Sequence, residues 1–520
     1  MASQSFVYGA LILVVAGFFN RLIGFIYQIF MIRLIEPEGV GLFNMVYPIY
    51  IMALVLAGAG IPVAIAKLVA EEVAKNNLKG AYRIFYTALA YIFFTSFFIT
   101  SLLIAGAPFL KTHLFPRPDA HACFFALIPA VTIVSLCSAF RGFFQGLQQM
   151  APTAVTQVAE QIVRISAGLT IAYLLLPKGV GYAAAGLSLG VVCGEFIGFI
   201  FILWIYLARR PVLRAFPGFK PERLGLTTIR IFQLAVPVTL TRFISTALLS
   251  IDALLIPRRL TTSGLPLNEA TAMYGQLVGI AEPLLFIPSI ITISLATALV
   301  PAMSDALAQN NLALVRGRCE EAIRLTMLAG LPAATVLLLL PEEFCTLFFG
   351  YSEAALALSV LAIGGPFLYL QQTTIGILQG LGRADRPLQN LVIASLFKIT
   401  GIYYLTAIPG INIQGAALSL VIGYVIMSML NYRDLKSITN LRPDWHYVLS
   451  KPLLASLGMA VVIWQAKENI PVLIASPVLQ LASSMLLGGT AYIVLLVVTG
   501  GLHIYDLNRL KELLKLFTLR

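Results

Sequence analysis

Charge is scarce in this chain. Only 11% of its 520 residues are Asp, Glu, Lys or Arg, where soluble domains carry about 25%. With 59% hydrophobic residues, this excludes a soluble globular domain and a disordered chain. Cysteine is sparse: Cys123, Cys137, Cys193, Cys319 and Cys345 show no CxxC spacing, so packing is expected of them, not a disulfide. The four histidines lack ligand spacing, and no metal site is expected. No GxxxxGK[ST] motif occurs, which argues against ATP as the energy source. The N-terminus has neither a basic n-region nor a clear cleavage site, so its first span is expected to stay as an uncleaved helix. The net charge of +12 is read as topology and attraction to anionic membrane lipids, with no nucleic-acid partner.

What is abundant is long apolar runs, and they predict an all-α integral membrane protein with fourteen transmembrane helices. The runs cover 6–35, 41–66, 84–108, 121–146, 153–176, 181–208, 228–256, 274–302, 322–341, 354–380, 387–408, 412–432, 449–466 and 476–501, about as long as or longer than the roughly 20 residues that span a bilayer. If the N-terminus is cytoplasmic, 24 Lys and Arg fall on the inner side and 7 on the outer. That bias predicts a multi-pass plasma-membrane protein with both termini cytoplasmic.

The chain also repeats itself. Gln145-Gly146-Leu147 recurs as Gln379-Gly380-Leu381, and Asn76-Asn77-Leu78 as Asn310-Asn311-Leu312, both at an offset of 234. Leu187-Ser188-Leu189 recurs as Leu418-Ser419-Leu420 at 231. Two pseudo-symmetric six-helix lobes of like orientation are expected, 1–210 and 228–436, joined by a cytoplasmic linker at 211–227. Helices 13 and 14 (437–501) lie outside the repeat. The tail 502–520 reads as an amphipathic helix on the inner surface.

Charges inside spans are costly and mark function. Arg21 shares a small-and-polar helix stripe with Gly17, Gly24 and Gln28. The repeat pairs Arg21 with Arg242 and Arg164 with Lys398, which suits a cavity that receives an anion. Arg21 and Arg242 are expected to face each other across the halves. Gln157 and Glu160 share the polar face of Arg164. The acids Glu160, Glu195, Asp252 and Glu282 do not follow the repeat, and suit either ion coupling or charge compensation. Structural readings stay open: Glu160 and Arg164 are spaced to neutralise each other, Arg21 and Arg242 could pair with Glu195 or Asp252, and Lys398 could snorkel. Pro48, Pro62, Pro237, Pro283, Pro288 and Pro301 mark places where helices bend.

The run from Arg33 to Glu71 contains Gly39-Val40-Gly41-Leu42-Phe43-Asn44-Met45-Val46-Tyr47-Pro48 and Gly60-Ile61-Pro62-Val63-Ala64. With Gln379-Gly380-Leu381-Gly382-Arg383, it resembles the polysaccharide-exporter branch of the multidrug/oligosaccharidyl-lipid/polysaccharide (MOP) flippase superfamily. The resemblance covers essentially the whole chain. It implies a two-lobed, fourteen-helix secondary-type transporter, not an enzyme. It further implies movement of an anionic undecaprenyl-pyrophosphate-linked sugar or peptidoglycan precursor from inner to outer leaflet by alternating access, for spore-cortex or cell-wall synthesis. No cofactor is implied; an Na+ or H+ gradient or the membrane potential would drive movement, and wall-synthesis enzymes are candidate partners. Related flippases place cavity arginines on spans 1, 2 and 8. Here span 1 carries Arg21, span 2 has none at mid-membrane, and span 8 carries Glu282. The rival readings are a multidrug or cation antiporter of the same superfamily and a polytopic glycan-assembly enzyme. Paired cations disfavour cationic drugs, and short outer loops disfavour the enzyme.

Overall fold

The structure, a computed structural model, describes residues 6–502 except 59, 114, 116, 118, 215–223, 310 and 474. Most of the expected linker and all but the first residue of the expected tail helix lie outside the described residues. The chain is all helical among them, in chain order α1 (Phe6–Gly58), α2 (Ile61–Ala74), α3 (Leu78–His113), α4 (Asp119–Gly146), α5 (Ala151–Leu175), α6 (Val180–Arg214), α7 (Leu224–Thr262), α8 (Leu267–Gln276), α9 (Glu282–Phe286), α10 (Ser289–Ala308), α11 (Leu312–Leu339), α12 (Pro341–Phe344), α13 (Ala355–Gly380), α14 (Asp385–Leu405), α15 (Ile413–Thr439), α16 (Lys451–Leu473) and α17 (Pro477–Val498). Thirteen helices among the described residues are long and apolar enough to cross a membrane. Large apolar side chains lie on the outside, including Phe94 at 68% and Trp204 at 66% exposed. That is the surface a hydrocarbon solvent requires, so this is a multi-pass membrane protein.

The first two expected spans, 6–35 and 41–66, are parted where expected, by a kink inside α1. Helical structure runs on to Gly58 and is interrupted at Glu36 (φ 59°, ψ 169°), just before Pro37. A second break between Gly58 and Ile61 starts α2 with Pro62 in its first turn. Expected span 8 (274–302) is also broken. A π turn at Leu277–Ala281 precedes α9, with Pro283 in the first turn of α9, and Pro288 caps α10. These prolines begin helices, where a missing N–H costs nothing. Pro48 and Pro237 sit within continuous helices instead.

The chain forms two compact units, Met1–Gly279 and Ile280–Arg520. In unit 1, α4 and α5 pack on α6, α2 on α4, and α1 on α7 and α8. Its core holds Phe85, Phe140, Phe143 and Tyr206, with the Phe85 and Phe143 rings 4.5 Å apart. Helix α7 lies along α2. Gly60 N–H donates to Thr239 Oγ1 at 3.1 Å, and Arg230 donates to Glu71 (3.1 Å) and Glu72 (3.2 Å). In unit 2, α13 packs on α10, α11 and α15, α14 on α15, and α16 on α17.

The repeat is visible in how helices touch within each unit. Gly142 lies against Pro62 of α2, and Gly376 against Ala296 of α10. Gly146 lies against Ala66 and Val69, and Gly380 against Val300 and Met303. All three contacts keep the offset of 234 on both sides. The turns that follow match too: Gln148 (φ 58°) and Gly382 (φ 75°) occupy the same left-handed position. The last helix of each half shifts register. Gly186 meets Ala172 where Gly415 meets Thr406, and Gly194 meets Arg164 where Gly423 meets Lys398. The glycines are offset by 229, so the tripeptide match at 231 is off by two residues. The reason is length: the stretch from Ala172 to Gly186, which turns from α5 into α6, is five residues longer than that from Thr406 to Gly415.

Candidate functional site

Four charged side chains of unit 1 meet where α4, α5 and α6 pack. Glu160 and Arg164 stand one turn apart on α5, which lets one carboxylate serve both Arg164 and a neighbouring helix. Arg141 of α4 donates through Nη2 to Glu160 Oε2 at 2.7 Å, and Arg164 Nη2 donates to Glu160 Oε1 at 2.6 Å and to Glu195 Oε1 of α6 at 2.6 Å. The four side chains are 8–18% exposed. Two cations and two anions cancel, which makes the cluster tolerable away from water. Small residues allow the approach: Gly194 and Gly198 place α6 against Arg164 and Glu160. Arg141 Nε, Arg164 Nε and Glu195 Oε2 are buried without a hydrogen-bond partner among the described residues.

Beside this cluster opens a cavity of about 440 Å³. Its polar wall is Ser135, Ser138, Arg141 and Gln145 of α4, Gln157 of α5 and Arg242 of α7. Arg242 is exposed and forms no ion pair among the described residues. The cavity therefore has one arginine held by an acid and one held by none, with amides and hydroxyls between them.

The other expected site residues are placed as follows. Arg21 is exposed on α1 and has no ion pair among the described residues. It belongs to unit 1 with Arg242, but it does not line the cavity as Arg242 does. Gln28 donates to the carbonyl of Gly279 at 3.2 Å, so it braces the π turn. Arg164 is bonded to two carboxylates, which favours the mutual-neutralisation reading over a cation held open for substrate. Glu195 pairs with Arg164, not with Arg21 or Arg242. Lys398 is half-buried on α14 against Gly423, Asp252 is 8% exposed on α7, and Glu282 opens α9. Arg141 is the residue that sequence reasoning missed, having grouped it with the inner-loop cations. Its signal was the spacing of Ser135, Ser138, Arg141 and Gln145, one helical face of span 4.

The repeat places a second groove in unit 2, of about 490 Å³. Ala296, Thr297, Gln372, Ile375, Gly376 and Gln379 line it. At the offset of 234 these stand for Pro62, Val63, Ser138, Arg141, Gly142 and Gln145, each of which lines the unit 1 cavity. Ile375 replaces Arg141, Ala394 replaces Glu160, and no charged residue lines the unit 2 groove.

Comparison with known proteins agrees with this architecture. Residues 6–307 match the family model described as polysaccharide biosynthesis protein, and residues 277–404 match that described as MatE. Stage V sporulation protein B of Bacillus subtilis (strain 168) is 34% identical over 432 residues, covering 83% of each chain. Lipid II flippase MurJ of the same organism is 24% identical over 498 residues, covering 89% of each. Among solved structures, the inward closed conformation of Lipid II flippase MurJ superposes with a TM-score of 0.71 at 15% identity, covering 92% of this chain and 97% of that one. An inward-facing multidrug resistance MATE family transporter gives 0.69 at 15% identity, covering 81% and 94%. The chain belongs to the polysaccharide biosynthesis protein family, among the transporters and flippases of the MOP superfamily.

Proposed function

We propose that this protein flips an anionic undecaprenyl-pyrophosphate-linked sugar or peptidoglycan precursor from the inner to the outer leaflet, for spore-cortex or cell-wall synthesis. The observation that carries the reading is the unit 1 cavity, where Arg141 and Arg242 stand among amides and hydroxyls. Arginine holds phosphate oxygens by charge-assisted, often bidentate hydrogen bonds. The buried Nε of Arg141 supplies a donor beyond those already given to Glu160. Arg21, Gln28, Gln157, Arg164 and Lys398 complete the proposed substrate set, Arg164 acting through Glu160.

In this reading Glu160 is a competitor that holds Arg141 in place until a phosphate takes over. Glu160 and Glu195 then compensate charge, while Asp252 and Glu282 are the residues proposed to couple an Na+ or H+ gradient. Two lobes, 1–210 and 228–436, exchange access to the site, with helices 13 and 14 outside the repeat and both termini cytoplasmic. Wall-synthesis enzymes are the proposed protein partners.

The test is reconstitution into vesicles with defined undecaprenyl-linked substrates under imposed ion gradients, reading substrate at the outer face. Movement by the native chain, and its loss in Arg141→Ala and Arg242→Ala at normal insertion, is the expected result. Movement unchanged in both variants sinks the cavity model. Export of a cationic drug in place of the lipid would establish the antiporter instead.

A further inference from the structure

We infer that the unit 2 groove between α10 and α13 is a binding site for an uncharged glycan, such as an N-acetylated sugar. The inference rests on the reading that the carried molecule is a lipid-linked glycan, and it names where the sugar is recognised.

The groove repeats the helix packing of the unit 1 cavity, with Gly376 against Ala296 as Gly142 lies against Pro62. Its chemistry is different. Ile375 stands where Arg141 stands, so nothing at that place compensates an ionised ligand. Two glutamines remain. Thr292 Oγ1, buried, donates to Gln372 Oε1 at 2.5 Å. With its carbonyl held, Gln372 presents its amide nitrogen as a donor. Thr297 donates its hydroxyl proton to the carbonyl of Ile293 at 2.8 Å, which leaves its oxygen as an acceptor. Gln379 is exposed and offers both. Ile375 and Val300 supply an aliphatic floor.

A sugar ring has apolar C–H faces and a rim of hydroxyls and amides, and it carries no charge. Donors, acceptors and floor match that pattern. A polyprenyl chain does not, because it would cover two glutamine amides and satisfy neither. A pyrophosphate does not, because it would find no cation.

The test uses the full chain in lipid nanodiscs and a photoreactive N-acetylglucosamine disaccharide, with cross-links mapped by mass spectrometry. Label on α10 and α13 is expected. It should fall about tenfold in Gln372→Leu, the loss expected when one hydrogen-bonding partner is removed. Gln379→Leu, on an exposed side chain that folding does not need, should also weaken it. Binding of undecaprenyl pyrophosphate should be unchanged in both. Label on α2 and α4, label that resists both substitutions, or label displaced by a free polyprenol overturns the inference. If undecaprenyl pyrophosphate fails to bind the native chain while the disaccharide still labels α10 and α13, the anionic-carrier reading fails and this inference stands.

Discussion

Helices α2, α4, α5 and α6 of unit 1 and helices α10, α13, α14 and α15 of unit 2 are built on one packing plan with two chemistries. Glycine meets the facing helix at Gly142 and Gly146 in one, and at Gly376 and Gly380 in the other. Yet Arg141, Glu160, Arg164 and Glu195 become Ile375, Ala394, Lys398 and Tyr424 at the matching places. The backbone seam does not require the charges, since the same seam closes around Ile375 and Ala394. The charges require one another, since each is tolerable in a dry helix contact only with its partner. Packing and chemistry are thus separable layers of this fold, and the cluster of Arg141, Glu160, Arg164 and Glu195 belongs to unit 1.

The sharpest break in that comparison is Glu160→Ala. It strands Arg141 and leaves Arg164 with Glu195 alone, so stability should fall by about 3–5 kcal/mol, read as thermal or denaturant unfolding of the solubilised protein. Adding Arg141→Ile makes unit 1 copy unit 2, and the double variant should recover most of the loss. A double variant as unstable as the single would show that the pair is not coupled. Next comes Arg242→Ala, which removes a cavity cation that has no acid to release. Transport of the lipid-linked anion should drop by about 10- to 100-fold, the equivalent of a charged hydrogen bond of about 1.5–3 kcal/mol, with insertion unchanged. Gly146→Val and Gly380→Val should each cost about 1–3 kcal/mol by overpacking. A large difference between these two would mean that the seams are not equivalent. The smallest effects belong to the shared turn. Gln148→Gly should stabilise by about 0.5–1 kcal/mol by relieving a left-handed residue, and Gly382→Ala should destabilise by a similar amount.

Much of the architecture was legible. Apolar runs located the spans because a bilayer imposes length and composition together. The repeated Gln-Gly-Leu fixed the register of α4 against α13, because the glycine is where the neighbouring helix touches. The Leu-Ser-Leu match misled by two residues because leucines and serines recur in any apolar helix. The boundary expected between the first two spans was legible too, since two helices meet across a kink at Glu36, just before Pro37. The pairing of Arg164 with Glu160 was legible from spacing. Its second partner, Glu195, was not, because that contact depends on where α6 crosses α5. Arg141 escaped because a cation five residues from the end of a span looks the same in sequence whether it snorkels to the surface or turns inward to an acid.

The five extra residues between Ala172 and Gly186, compared with Thr406 to Gly415, have a practical consequence. They lie beyond the Ala172–Gly186 contact, in a stretch that includes the turn at Leu176–Lys178. The matching stretch of unit 2 reaches the same contact without them. Lengthening a loop that closes past a fixed contact adds little entropic penalty. An epitope or small fluorescent reporter inserted after Pro177 should therefore leave the seam intact. It would report on which side of the bilayer that turn lies, turning an internal mismatch of the repeat into a handle for mapping topology in living cells.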